Sequence, residues 1–298
     1  MSFKFKIRKA LLTSWLSAII ISSLSFSTHA SRFPHSEQFK TELSNLEKSS
    51  QGKLGVYLID PSAKQSFSYN GDERFPFCST SKILVTSKLL HDSQSLPNLL
   101  DSKVDIKQTD LVNYNPITGR NVGMSMTVSE LSMAALQYSD NTAMNLLLQK
   151  AGGIDAINKF ARTLGDKDFL LSRNEPNLNT SIPGDIRDTT TPKSMANTVE
   201  KLTLGNGLID EKKNILVTWM KGNTTGGVSI KAGIPSTWVI ADKTGTGDYG
   251  TTNDVAVMWT DKNKPLILVT YFTHFEKDAE PRKDVLSKAA KIVTSYIQ

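Results

Sequence analysis

One cysteine, Cys78, in 298 residues leaves no internal disulfide, so the fold must be held by its core. Histidine is nearly as scarce. His29, His35, His91 and His274 lie far apart, and none stands in a His-x-x-x-His or Cys-x-x-Cys arrangement. The chain therefore encodes no recognisable metal site, and no metal or organic cofactor is expected. A Gly-x-Ser-x-Gly elbow is also missing, which together with so few histidines argues against a Ser-His-Asp hydrolase. Any nucleophilic serine needs a different base. Acidic residues are absent from the first thirty positions, and no apolar run there reaches the twenty or so residues that a membrane span needs.

What those thirty positions hold is a basic head (Lys4, Lys6, Arg8, Lys9) and an apolar stretch over 10–24 broken by Thr13, Ser14 and Ser17. Thr28-His29-Ala30 then puts small residues at the −3 and −1 positions of a cleavage site. Such a pattern marks an export signal. Residues 1–30 are expected to be removed, leaving an exported protein, periplasmic or secreted, with no stable membrane association. The formal charge of +6 shrinks with them, because four basic residues leave and no acidic one does. The 31 basic and 29 acidic residues that remain make a nearly neutral chain, and the electrostatic case for a nucleic-acid partner disappears. Residues 31–298 are expected to form a single catalytic domain that works as a monomer.

Phe39, Leu43 and Leu46 share one helical face over 36–48, so an amphipathic helix opens this domain. Residues 53–60 and 65–69 read as two strands joined by a turn at Pro61. The pattern over 76–231 is helical: Thr127-x-x-Glu130 is a capping box, Gly152-Gly153 stops a helix, and Thr191-Pro192 starts another. Strand-like runs over 237–243, 254–260 and 265–273 and a helix over 281–297 complete the chain. Short links between the last strands imply antiparallel pairing, and the first two strands can join them only if the middle is an insertion. The expected fold is α+β, with a five-stranded antiparallel sheet flanked by the N- and C-terminal helices. A sheet lobe (31–75 and 232–298) would pack against an inserted all-helical lobe (76–231), with a site in the cleft between them. Residues 165–188, rich in Asp, Asn, Pro and Gly, are too long for an ordinary connection and read as a compact functional loop.

Gly245-Thr246-Gly247-Asp248-Tyr249-Gly250 matches the dinucleotide fingerprint but leads into a strand rather than a helix, so it reads as a hairpin turn. Ser79-Thr80-Ser81-Lys82 sets a lysine one helical turn after a serine, where the amine could take the hydroxyl proton. A second Ser-x-x-Lys, at Ser50 and Lys53, lies in a polar turn and calls for no chemistry. Ser79 differs, because Phe77-Cys78 before it and Ile83-Leu84-Val85 after it place it at the first turn of a buried helix, where an oxyanion is favoured. Three other short motifs stay open between a structural and a chemical reading. Ser139-Asp140-Asn141 suits a turn between helices. Lys243-Thr244-Gly245 suits a strand end whose glycine leaves the edge open to an extended ligand. Glu175, in Glu175-Pro176-Asn177-Leu178-Asn179, suits a solvated loop charge.

The four motifs stand in one order, at Ser79, Ser139, Glu175 and Lys243, each at an element boundary bordering the expected cleft. In that combination the chain resembles the class A serine β-lactamases across all of 31–298, and Glu-x-x-Leu-Asn favours them over the related transpeptidases. The resemblance implies hydrolysis of the β-lactam ring of penicillins and cephalosporins through a serine acyl-enzyme, and hence antibiotic resistance. It makes Ser79 the nucleophile and Lys82 its proton acceptor or relay, kept partly neutral by Lys243. Glu175, with Asn179, would hold and activate the deacylating water, and Ser139 would pass a proton to the ring nitrogen. The N–H groups of Ser79 and Thr246 would form the oxyanion hole. Asn141 would hold the drug's side-chain amide, and Lys243, Thr244 and Thr246, in the strand that carries Gly245, its carboxylate. Tyr114 resembles the cleft wall, and Arg173 with Asp188 the ion pair that closes the loop.

The run from Lys243 to Asp254 resembles the cefotaxime-hydrolysing, extended-spectrum branch, which adds oxyimino-cephalosporins to the expected substrates. Two departures stand out. Thr252 replaces the carboxylate-binding Arg of many relatives, and where this branch carries an Arg the chain has Arg282-Lys283, with Lys283 nearer and lacking the guanidinium fork. Relatives that destroy carbapenems bridge the Cys before the serine to one that falls here at Gly247, so weak carbapenem turnover is expected. A penicillin-binding D-Ala-D-Ala peptidase shares these motifs but lacks the deacylating Glu. A drug-binding sensor domain that acylates and stops would normally need a membrane tether.

Overall fold

The computed structural model describes residues 1–2, 35–295 and 297, so the expected export signal, beyond its first two residues, lies outside them. Helix α1 (Ser36–Ser50) buries Phe39 and Leu43 of the expected stripe, and Leu46 is partly buried against the same core. It includes Ser50, which is buried at the end of this helix rather than in a polar turn. Strands β1 (Gly52–Asp60) and β2 (Gln65–Tyr69) form the expected hairpin. β3 (Phe75–Pro76) and a 3-10 turn over Cys78–Ser81 lead into α2 (Lys82–Asp92).

β4 (Lys103–Asp105) and β5 (Ser125–Thr127) follow, then α3 (Val128–Gln137), α4 (Asn141–Lys150) and α5 (Ile154–Thr163). Thr127 and Glu130 cap α3 reciprocally: Glu130 N donates to Thr127 Oγ1 at 3.1 Å, and Thr127 N to Glu130 Oε2 at 2.7 Å. Gly152 and Gly153, with φ of 93° and 84°, end α4 where a side chain would be strained. After the long loop come β6 (Thr189–Thr190), α6 (Pro192–Thr203), capped by Thr191, α7 (Asp210–Lys221) and the short α8 (Ile230–Gly233). β7 (Val239–Thr246), β8 (Thr252–Trp259), β9 (Pro265–His274) and α9 (Lys283–Thr294) finish the chain.

Five strands form one antiparallel sheet in the order β2-β1-β9-β8-β7, so β1 and β9 close it across the inserted middle of the chain. Alternation of side chains divides its residues between two cores. Ile240, Ala256 and Leu268 meet Phe39 and Leu43 of α1 and Val285, Leu286 and Val293 of α9 on one face. Ala241, Val255, Val269 and Tyr271 meet the helices of the insertion on the other, including Ile83, Leu131, Leu147 and Met195. The insertion is not all-helical as expected. β4 pairs with β5, and β3 with β6, in ladders of three and two residue pairs. Strands this short show no measurable period in the sequence.

Candidate active site

Ser79 sits in the 3-10 turn that precedes α2, rather than in the first α-helical turn. Residues three apart eclipse one another in such a turn. Lys82, the first residue of α2, donates from Nζ to Ser79 Oγ at 2.9 Å. The turn is pinned from several sides: Phe77 stacks on Phe169 at 4.8 Å, Thr80 Oγ1 hydrogen-bonds Tyr271 OH at 3.2 Å, and Asn253 Nδ2 donates to Pro76 O at 2.7 Å. Cys78, Tyr114 and Ser139 all adopt left-handed backbone, with φ of 49°, 57° and 59°. Such strain gathers where packing dictates a side-chain position.

Ser139-Asp140-Asn141 joins α3 to α4, and the structural reading holds for it. Asp140 caps α4 by accepting from Ala143 N at 2.8 Å, and it also accepts from Ile117 N and Thr118 N at 3.0 and 2.9 Å. That leaves its neighbours to face the cleft. Lys82 Nζ donates to Asn141 Oδ1 at 2.7 Å and to Ser139 O at 2.8 Å, while Ser139 Oγ receives Lys243 Nζ at 3.1 Å. Tyr114, 59% exposed, stands at the cleft wall, and its carbonyl accepts from Asn141 N at 3.0 Å.

The loop over 165–188 brings Glu175 under the serine. Ser79 Oγ donates to Glu175 Oε1 at 3.2 Å, Lys82 Nζ pairs with the same oxygen at 3.1 Å, and Asn179 Nδ2 donates to Glu175 Oε2 at 2.5 Å. Asn179 Oδ1 is buried without a hydrogen-bond partner among the described residues. Arg173 Nε and Asp188 Oδ2 pair at 2.5 Å, so the expected ion pair does close the loop, and Arg173 Nη1 also reaches Thr180 Oγ1 at 2.8 Å. Sequence reasoning missed Asn145, which clamps the Glu175 backbone by accepting from its N–H at 3.0 Å and donating to its carbonyl at 2.9 Å. Its only signal was a position four residues after Asn141, on the same helical face.

Lys243, Thr244, Gly245 and Thr246 all lie within β7, the outer strand of the sheet, so Gly245 does not end the strand. Nor is its edge simply open: a Cβ on Gly245 would stand 2.8 Å from Phe77 O and 3.2 Å from Ser79 N. Thr225 Oγ1 hydrogen-bonds Thr244 Oγ1 and Thr225 N donates to Asn223 Oδ1 at 3.0 Å, two contacts the sequence did not announce.

Both site lysines are fully buried. Burial lowers the Lys82 ammonium from its usual range against the opposing pull of the Glu175 carboxylate. Repulsion from Lys243 was expected to do this, but desolvation leads, and the repulsion registers at Lys243 instead. There burial first, and the charge on Lys82 second, lower the group to about 7. The Cys78 thiol, pushed up to about 12 by burial, is no competing nucleophile.

Ser79, Tyr114, Ser139, Asn141, Thr244 and Thr246 line a cleft of about 600 Å³, with Lys283 at its border. Arg282 turns instead to Asp284, with Nε at 2.8 Å from Oδ1, and its backbone N–H donates to Thr252 Oγ1 at 2.9 Å. A larger groove of about 1260 Å³ runs from Glu47 and Lys53 to His274 and Phe275 but contains no nucleophile with a buried base.

A sheet closed across an inserted lobe, and a serine with a buried lysine at the border between them, define a serine hydrolase that dispenses with histidine. The model of the beta-lactamase enzyme family matches residues 38–297, and the chain belongs to that family as a class A serine β-lactamase. It is 52% identical to the β-lactamase Toho-1 of Escherichia coli over 288 residues, or 97% of each chain. To the β-lactamase CTX-M-97 of Escherichia coli it is 56% identical over 253 residues, 85% of this chain and 87% of that protein. Among solved structures it is similar to the β-lactamase of Desulfarculus baarsii DSM 2075, with a TM-score of 0.87 and 43% identity, covering 88% of this chain and 98% of that one. Its reaction is hydrolysis of the β-lactam ring.

Proposed function

We propose that Ser79 attacks the β-lactam carbonyl while its proton passes to Lys82 or, through a water, to Glu175, giving an acyl-enzyme that Glu175 then resolves. One observation carries this reading: Ser79 Oγ lies 2.9 Å from Lys82 Nζ and 3.2 Å from Glu175 Oε1, so one hydroxyl is within reach of two bases. Burial that lowers the lysine ammonium supports its use as an acceptor. Asn179 Oδ1, which has no partner among the described residues, would accept from the water that Glu175 deprotonates. Ser139, bonded to Lys243 at 3.1 Å, would return the proton to the departing ring nitrogen, and each such acid–base step contributes roughly 10²–10⁴-fold. The N–H groups of Ser79 and Thr246 would hold the oxyanion. Asn141 would bind the acyl side-chain amide, and Lys243, Thr244 and Thr246, with Gly245 between them, the carboxylate.

Penicillins and cephalosporins, oxyimino-cephalosporins among them, are the proposed substrates. Lys283 supplies charge at the cleft border without the fork of an Arg. Cys78 faces a glycine, Gly247, and cannot form the bridge associated with carbapenem hydrolysis. Residues 1–30 would direct export to the periplasm or beyond, and 31–298 would act as a single monomeric domain. The test is benzylpenicillin turnover followed together with intact mass. The wild type should turn over repeatedly with no lasting adduct, while Glu175→Ala should accumulate a one-to-one acyl adduct. Normal turnover by Glu175→Ala would refute the deacylation role, and a persistent wild-type adduct would favour a sensor.

A further inference from the structure

Two carboxyl groups meet behind Lys243, on the opposite face of β7 and β8. Thr244 stands opposite Asp254 and Asp242 opposite Ala256, so the two acids are diagonal neighbours on one face of the sheet. Asp242 is 4% exposed and Asp254 not at all, and their carboxyl groups are within hydrogen-bonding reach of each other. Asn223 Nδ2 donates to Asp242 Oδ2 at 2.5 Å, and Ile230 N to Asp254 Oδ2 at 3.1 Å. Asp254 Oδ1 is buried and receives no donor among the described residues. Two carboxylates in contact and out of water cannot both ionise, and a buried oxygen without a donor is costly unless it carries the proton itself. Protonated, Asp254 Oδ1 becomes a donor to Asp242.

We propose that Asp242 and Asp254 hold a single proton between them, carried on Asp254 Oδ1 and donated to Asp242, and that the one remaining negative charge keeps Lys243 an ammonium ion. Burial raises Asp242 above the usual carboxylate range, and burial with the Asp242 charge raises Asp254 further, in keeping with that arrangement. The charged groups facing the pair are Lys243 of β7 and Lys231 of α8, while Lys82 and Glu175 act on Lys243 from the cleft. Asn223 extends the pair to the site: its Oδ1 accepts from Thr225 Oγ1 at 2.8 Å, and Thr225 bonds Thr244. Asp242 and Asp254 are thus positioning residues, which touch no substrate but set the charge of Lys243 and the placement of Thr244. The second half of the proposal rests on Lys243 and Thr244 as the carboxylate anchor.

Infrared spectroscopy of the mature wild type with carboxyl-labelled aspartate, at neutral pH, tests the proton directly. A carboxylic-acid C=O band that shifts in D₂O and vanishes in Asp254→Asn is expected, and its absence from the wild type would overturn the proposal. Kinetics with benzylpenicillin test the charge. Asp254→Asn retains a donor and one charge, so KM should rise no more than about threefold. The double variant Asp242→Asn, Asp254→Asn loses the charge, so KM should rise about tenfold or more with kcat much less affected, and the alkaline limb should move down by about one pH unit. An equal effect of the single and double variants, or an unmoved alkaline limb in the double variant, would overturn the charge argument. Failure of the anchor itself reads differently: Lys243→Ala would then leave KM unchanged while the acid band persists. If the double variant does not fold, the band and Asp254→Asn decide the matter.

Discussion

No side chain fits at Gly245, because the backbone of the turn that carries Ser79 already occupies the space where a Cβ would go. Strand and turn approach this closely only at glycine. Gly245→Ala should displace Ser79 from its bases and lower kcat/KM about tenfold or more, at a stability cost of about 1–3 kcal/mol, measured by steady-state kinetics and thermal melting. Lys243 sets a pH limit for the same reason that makes it useful. It is buried, its charged form is disfavoured, and its value falls to about 7, so the ammonium exists below that pH and is lost above it. Capture of carboxylate-bearing substrates should therefore weaken as pH rises through about 7. In Lys243→Arg, whose guanidinium stays protonated, that alkaline limb should be missing from the kcat/KM profile. At this scale the sequence was most legible where neighbours share a turn, as Ser79 and Lys82 do. It was silent on Asn145, Thr225 and Asn223, whose roles depend on partners distant in the chain.

Helices and the long strands of the sheet were legible because they carry several periods of apolar residues between clear stops. The two small ladders were not, since two or three residues show no alternation. The loop over 165–188 lies between these cases: its composition marked it as an element, while its shape comes from contacts. Asp188 accepts from Ser172 N at 2.7 Å and Arg173 N at 3.0 Å besides the Arg173 guanidinium, so one fully buried carboxylate ties the start of the loop to its end. Asp188→Ala removes the buried half of the pair and leaves Arg173 only Asp185, at 3.8 Å, and Thr180, so it should cost about 3 kcal/mol. Denaturant unfolding reads that loss. If the loop also positions Glu175, acyl-enzyme from benzylpenicillin should persist longer in this variant, as intact mass would show.

Across the whole molecule the sheet separates two cores, one under α1 and α9 and the other under the inserted lobe, which shares the cleft residues with β7 and Lys283. Damage to the first, away from Asp242, Asp254 and Lys283, should therefore be felt as stability alone. Leu286→Ala in α9 should cost about 2–5 kcal/mol in unfolding free energy while leaving kcat for benzylpenicillin unchanged. Element order, antiparallel pairing of the end strands and the short motifs could all be read from the chain itself, because each rests on residues a few positions apart and on side-chain chemistry that needs no context. The meeting of Ser79, Ser139, Glu175 and Lys243 could not, nor could the burial that lowers both lysines and sets a proton between Asp242 and Asp254. Contact across long stretches of chain and exclusion of water belong to the packed molecule, and only tertiary structure decides them.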